Sequence, residues 1–338
     1  MANRILLTGA GFTHNFGAPL AKDMATHIFN SLNYPEEKNI KKILSEKAYD
    51  YESAYQTIIS EEFSSEEQLA MKTALIEAYN YLDKIINKIG NDYIHTIYSI
   101  ENELIKNLQV NRKGSGFIFT LNQDLIIERK FRRSGGITYT LPAAKTQFLN
   151  NNNITEDFEN SLYSQNNNLQ QIEEEKKQFI TKLDKIRKGT NHTNLIAYVK
   201  LHGSMDWLSD ENNQLMIVGG NKAEYIDKFP LLKWYYELFK IEIKKTGARL
   251  LIIGYSFIDE HINLAIKEAI EKNDLKLYII NPTKQTDFEK ELSNKKYGKE
   301  ILDAIKGYYP YELSVIFPND PCDPITAQWL NIKEQFFN

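Results

Sequence analysis

Five short apolar or β-branched runs constrain this chain more than any other feature: Ile5-Leu6-Leu7, Phe117-Ile118-Phe119-Thr120, Tyr198-Val199-Lys200-Leu201, Leu250-Leu251-Ile252-Ile253 and Leu277-Tyr278-Ile279-Ile280. Most lack polar alternation, which suits strands covered on both faces, as in a parallel sheet flanked by helices. Four of the runs end in small or polar residues, namely Gly9-Ala10-Gly11, Asn122-Gln123-Asp124, His202-Gly203-Ser204 and Gly254-Tyr255-Ser256, and the fifth ends in Asn281-Pro282. In an open α/β sheet, ligands bind beyond the carboxyl ends of the strands, so these five ends are predicted to converge. The fold class expected is therefore α/β, a Rossmann-like parallel sheet with helical insertions forming a second, smaller module.

At 338 residues the chain exceeds one typical compact domain, so a main domain with insertions is the natural division. The sheet domain is assigned to 1–19, 110–142 and 195–318, with helical insertions at 20–109 and 143–194 and a tail at 319–338. In the first insertion, Ile85, Ile89, Tyr93 and Ile97 recur at helical spacing with little Gly or Pro, and part of it is expected to form a lid or a partner surface. The second is rich in Asn, Gln, Glu and Lys, with Asn150–Asn153 and Asn166–Asn168 as polar tracts and a helix expected over 169–187. A sixth strand is expected at Leu313-Ser314-Val315-Ile316-Phe317.

Composition excludes several classes of function. A formal charge of -4 offers no footprint for a polyanion, so direct nucleic-acid binding is not expected. The single Cys322 excludes an intrachain disulfide, a four-cysteine zinc ribbon and a redox pair, which fits a reducing, cytoplasmic setting. No run approaches the roughly 20 apolar residues of a membrane span, and the N-terminus lacks a signal-peptide pattern.

The strand ends carry the candidate chemistry. Gly9, Ala10, Gly11, Phe12 and Thr13 follow a strand directly, where backbone N–H groups can approach a pyrophosphate without Cβ obstruction. The dehydrogenase pattern wants Gly at position 14, where His14 stands, and no acidic ribose ligand ends a strand some 20 residues on, so hydride transfer is disfavoured. Asn122 can orient a ribose hydroxyl or a water through its donor and acceptor atoms, and Asp124 can accept from a carboxamide N–H. The alternative for this pair is an Asx turn leading into the following helix. His202 ends a strand and titrates near neutrality, which suits it to meet a ribose hydroxyl, although a lone His is more often structural. Gly254 permits close approach and Ser256 offers a hydroxyl, or caps the helix beginning near Asp259. Asp259 and Asn263 share one face of that helix.

Taken together and in this order, Gly9-Ala10-Gly11, Thr120-Leu121-Asn122-Gln123-Asp124, Leu201-His202-Gly203, Gly254-Tyr255-Ser256 and Ile280-Asn281 resemble the motifs of sirtuins, over roughly residues 4 to 282. Gly17-Ala18-Pro19 resembles the Gly-x-Pro that follows that family's glycine loop. The resemblance implies that Asn122 positions ribose or water, Asp124 holds the nicotinamide amide and His202 contacts ribose hydroxyls. It also implies that Gly9, Ala10 and Gly11 cradle phosphate, with Ser256 and Asn281 on the adenosine half. Protein-deacylating sirtuins carry four zinc-binding cysteines; here Ser204-Met205-Asp206-Trp207 follows His202-Gly203 instead. The pattern is thus similar to the divergent sirtuin-like domains of bacterial antiphage systems, which hydrolyse NAD to nicotinamide and ADP-ribose.

That resemblance implies a NAD glycohydrolase, with NAD as substrate and no metal, acting as an antiphage effector by NAD depletion. A homo-oligomer is expected, gated by self-association or by a regulatory partner such as a hexameric ATPase or an Argonaute-like protein. The competing expectations are a non-catalytic sensor of NAD or ADP-ribose and, more weakly, a NAD-dependent protein deacylase.

Overall fold

The computed structural model describes residues 3–33, 37–60, 62–109, 115–131, 138–140, 163–164, 169–190, 195–208, 214–322 and 325–338. The tracts Asn150–Asn153 and Asn166–Asn168 lie outside them, as do most residues of 132–168. Ten strands occur among the described residues: β1 (Arg4–Thr8), β2 (Ser115–Thr120), β3 (Thr138–Thr140), β4 (Tyr163–Ser164), β5 (Leu195–Lys200), β6 (Gly203–Leu208), β7 (Gln214–Met216), β8 (Arg249–Ile253), β9 (Lys276–Ile280) and β10 (Ile305–Tyr309). Seven form one sheet in the order β10-β9-β8-β1-β2-β5-β3, and every pairing in it is parallel. The α/β fold class is as read: a Rossmann-like parallel sheet flanked by helices.

The five apolar runs form its inner strands, and Ile5, Leu6, Leu7, Ile118, Phe119, Leu250, Leu251 and Leu277 are wholly buried. Continuous burial, rather than alternation, is what a sheet covered on both faces requires. After β1 the chain builds β2, β3 and β5 on one side, then crosses to build β8, β9 and β10 on the other, so a topological switch point lies between β1 and β8. Pairing register brings the carboxyl ends level: Lys200 opposes Thr120, Thr120 opposes Thr8, Thr8 opposes Ile253, and Ile253 opposes Ile280. The motif residues follow these five positions, so register alone gathers them at one edge of the sheet.

The described part of the chain between β1 and β2 is helical, and its longest helix, Ser65–Lys88, starts with a Ser64/Glu67 capping box. The spacing of Ile85, Ile89, Tyr93 and Ile97 does not mark one continuous helix. That helix stops at Lys88, Gly90 follows, and a new segment begins at Asn91. The helix expected over 169–187 spans Leu169–Arg187. After β5 the chain turns at Leu201-His202 into the small sheet β4-β6-β7. Gly203 makes that corner possible: its φ is +75°, and a Cβ there would lie 2.0 Å from the Leu215 carbonyl oxygen.

The sixth strand is corrected. It is β10, Ile305–Tyr309, while Leu313–Ile316 is a helical turn. Leu313, Ile316 and Phe317 are buried and Ser314 and Val315 exposed, the i, i+3, i+4 pattern of a helix face, flanked by Pro310 and Pro318. The edge strand instead alternates, with Lys306 outward and Gly307 and Tyr309 inward. The end of the chain packs on the core: Ala327–Phe337 is a helix that buries Trp329, Ile332 and Phe336. Its last carbonyls are met by arginines at the starts of two central strands, Arg4 donating to the Phe337 oxygen and Arg249 to the Phe336 oxygen at 2.8 Å. No described helix is long and apolar enough to cross a membrane.

Candidate active site

A cavity of about 1000 Å³ opens beyond the carboxyl ends of β1, β2, β5, β8 and β9, at the upper end of the range for small-molecule sites. Of the candidate residues, Gly9, Ala10, Gly11, Thr13, Asn122, Asp124, His202, Gly254, Ser256 and Asn281 line it. Phe12 does not: its ring is buried against Phe16 and Phe131, centroids 5.6 and 5.8 Å away, because the third helical position after Gly9 faces the core.

The glycine turns at the ends of β1 and β8 interlock across the switch point. A Cβ on Gly9 would lie 2.6 Å from the Gly254 oxygen, one on Gly11 2.7 Å from Gly254 Cα, and one on Gly254, where φ is +68°, 2.2 Å from the Phe12 nitrogen. The glycines therefore serve the approach of two backbones to each other. Gly9 N–H donates to the Ile253 oxygen, Gly11 N–H to the Gly254 oxygen and Phe12 N–H to the Gly9 oxygen. Of these four consecutive N–H groups, that of Ala10 is left for a ligand. The Ser256 hydroxyl is exposed on the same rim, and it does not cap the neighbouring helix, whose N-cap is Asp259. Asn281 lines the rim while its Oδ1 accepts from Thr283 N–H at 2.9 Å.

Thr13 joins the two halves of the amide–carboxylate motif. Its hydroxyl donates to Asp124 Oδ2 at 2.8 Å and accepts from Asn122 Nδ2 at 3.0 Å. Asn122 Nδ2 also donates to the Gly9 oxygen at 3.0 Å, so both amide hydrogens are taken and Oδ1 remains as acceptor. Asp124 Oδ1 accepts from Ile126 N–H at 3.1 Å. The Asx turn at the helix start and the cavity-lining position thus coexist in one residue. Burial pushes the Asp124 carboxyl up, against the pull of the Lys200 ammonium. That ammonium, wholly buried, donates to Glu128 at 2.9 Å and to the Asp124 carbonyl.

His202 is buried at the corner between the two sheets, and burial pulls its pKa down to about 3. Its Nε2 lies 3.2 Å from Nε2 of His261, which burial likewise lowers, to about 4. Asp259 stands beside both; burial works to raise its carboxyl, but His202 and Lys222 overcome that and hold it below the usual range. Lys222 bridges Asp259 Oδ1 at 2.9 Å and Glu52 Oε2 at 2.8 Å. Burial works to lower its pKa, but Asp259 and Glu52 overcome that and keep the ammonium charged. Asn263, one turn on, is drawn into a separate structural network with Tyr255 and the Phe257 carbonyl.

The opposite wall comes from the first helical insertion, with Tyr51, Glu52, Tyr79 and Tyr93 on the cavity. Tyr79 donates to Gln123 Oε1 at 3.2 Å, and Gln123 Nε2 donates to the Ile217 oxygen at 2.9 Å, which ties the insertion to the strand ends. Sequence reasoning missed Gln123, Lys222, Glu52 and His261. His261 lay in view within Asp259-Glu260-His261, but nothing local marks Lys222 or Glu52.

A family model described as SIR2-like domain matches residues 116–302. The match covers β2 through β9 and leaves out β1, which nevertheless sits between β2 and β8. No curated protein matches the chain significantly.

Proposed function

Since the chain belongs to the SIR2-like domain family, we propose that it cleaves the nicotinamide–ribose bond of NAD with water, releasing nicotinamide and ADP-ribose. The observation that carries this reading is that Asn122 and His202, 80 positions apart, line the same cavity as the interlocked glycine turns. The polar groups fit the nucleotide: Ala10 N–H and the Ser256 hydroxyl donate to phosphate and ribose oxygens, and the open Asn122 Oδ1 accepts from a ribose hydroxyl or the attacking water. Asp124, with lone pairs left on both oxygens, accepts from the nicotinamide amide.

Nicotinamide departs as a neutral molecule, leaving an oxocarbenium-like sugar that water captures; the positive charge of NAD ends as a proton given to solvent. The site therefore has to orient and stabilise rather than protonate a leaving group. Neutral His202 meets the ribose by exchanging its Nε2 contact with His261 for one with a ribose hydroxyl, since an imidazole held at about 3 is uncharged near neutrality. Asn122→Ala and His202→Ala are each expected to remain folded, with a lowered melting temperature, and to lower nicotinamide release at least about 100-fold. A folded variant of either kind with full activity removes that residue from the mechanism.

By this reading the protein is an antiphage effector that depletes NAD, gated by self-association or by a partner such as a hexameric ATPase or Argonaute-like protein. A second reading, a non-catalytic NAD or ADP-ribose sensor, draws on the same low basicity of His202; release of free nicotinamide on incubation with NAD separates the two. Deacylation is disfavoured by the single Cys322.

A further inference from the structure

We propose that His202, His261 and Asp259 form a site for a divalent transition metal, best matched to Zn²⁺, whose occupation takes His202 away from the nucleotide. The metal site stands on geometry alone; the silencing of NAD cleavage rests on the function proposed above. One ligand atom from each of the three residues lies within 4.8 Å of the others. The two Nε2 atoms lie 3.2 Å apart. Zn–N bonds of about 2.0–2.1 Å in a tetrahedron place two ligand nitrogens about 3.3–3.4 Å apart, so the separation of the two imidazole nitrogens matches one edge of such a polyhedron. Two histidines and one carboxylate, with a fourth position facing a cavity, is the donor set of open three-ligand zinc sites.

The surroundings hold these ligands in place. Lys222 fixes Asp259 through Oδ1, leaving the second oxygen, and the Tyr236 hydroxyl holds the main chain of His261 by donating to its backbone carbonyl at 2.7 Å. The single Lys222 ammonium faces two carboxylates, Glu52 and Asp259, so a cation meets a region that is not closed to it by charge. In the metal-free protein one of the facing Nε2 atoms carries a hydrogen; on metal binding that hydrogen moves to Nδ1 of the same ring, so both imidazoles ligate as neutral groups through Nε2. Nitrogen ligands favour Zn²⁺ over Mg²⁺, which prefers oxygen.

The test titrates the full chain with Zn²⁺ against a chromophoric chelator, with Mg²⁺ as the contrast. Roughly one Zn²⁺ per chain is expected, with X-ray absorption showing nitrogen neighbours at about 2.0 Å, and Zn²⁺ raising the wild-type melting temperature. His261→Gln and Asp259→Asn, with metal-free melting checked first, are each expected to weaken binding at least about tenfold. Absence of stoichiometric Zn²⁺, or unchanged binding in His261→Gln, which would put the ion elsewhere, overturns the site. Zn²⁺ is further expected to stop nicotinamide release, with a chelator restoring it; undiminished release by the loaded protein overturns the silencing. If the metal-free protein releases no nicotinamide even at high concentration and with its partner present, the proposed function fails while the Zn²⁺ titration still decides the site.

Discussion

At the scale of single residues, burial decides what the polar groups of this cavity can do. His202 and His261 are held at about 3 and about 4 in the folded protein, whereas the unfolded chain protonates them near 6.5. Their contribution to stability is therefore complete above about 6.5 and is lost as pH falls toward these values, because the unfolded state binds protons first. Asp259, held low, acts in the same direction; Asp124, held high, opposes it. His202→Asn is accordingly expected to flatten the decline of melting temperature between about pH 6 and 4. Nicotinamide release by the wild type should show no imidazole titration between about pH 5 and 8, and an inflection near 6.5 would contradict a buried neutral His202. Backbone geometry gives a second expectation. Gly254→Ala forces a left-handed backbone and places a Cβ 2.2 Å from the Phe12 nitrogen, while Gly17→Ala, with φ +86° and its nearest contact at 3.8 Å, pays only the conformational term. Chemical denaturation should show Gly17→Ala losing about 1 kcal/mol and Gly254→Ala at least about 3 kcal/mol.

Elements are held by contacts far apart in the chain. The C-terminal helix Ala327–Phe337 closes the amino-terminal edge of the sheet, with Trp329 wholly buried against Phe317, ring centroids 4.9 Å apart. Trp329→Ala is expected to cost about 3–5 kcal/mol, read from the denaturation midpoint; a change below about 1 kcal/mol would mean that the helix is not part of the core. At the opposite edge, Lys222 couples three elements: its own helix Lys222–Lys228, the insertion helix Tyr51–Ile58 through Glu52, and the start of Glu260–Asn273 through Asp259. The corner at His202 and the helical wall of the cavity therefore share one buried ammonium, and a shift of either is felt by the other.

For the whole molecule, the parallel sheet supplies the platform and the first insertion supplies the cover. Exposed apolar side chains such as Tyr98 and Leu69 on that insertion and Ile258 near the cavity rim leave surface for a second chain. If self-association gates the proposed activity, nicotinamide release per chain should rise steeply with protein concentration and track the mass distribution in analytical ultracentrifugation. A specific activity independent of concentration in the isolated chain would remove that form of gating.

The sequence by itself determined the inner strands, their parallel pairing and the gathering of Asn122, His202, Gly254 and Asn281 at one edge, because a doubly covered strand has to be continuously apolar and its following residue has to tolerate close approach. The helix over Leu169–Arg187 was legible for the same kind of local reason. A run such as Leu313–Phe317 was not, since a short apolar stretch suits a strand or a helical turn until its neighbours decide which face is buried. Only the tertiary structure decided that Phe12 turns to the core, that the glycines fit one another, and that Lys222, Glu52, Asp259 and His261 meet at His202. Those outcomes depend on burial and on pairs more than 200 positions apart, such as Gly9 with Gly254 and Glu52 with Asp259 around Lys222, and no local pattern records which distant group will share a desolvated space.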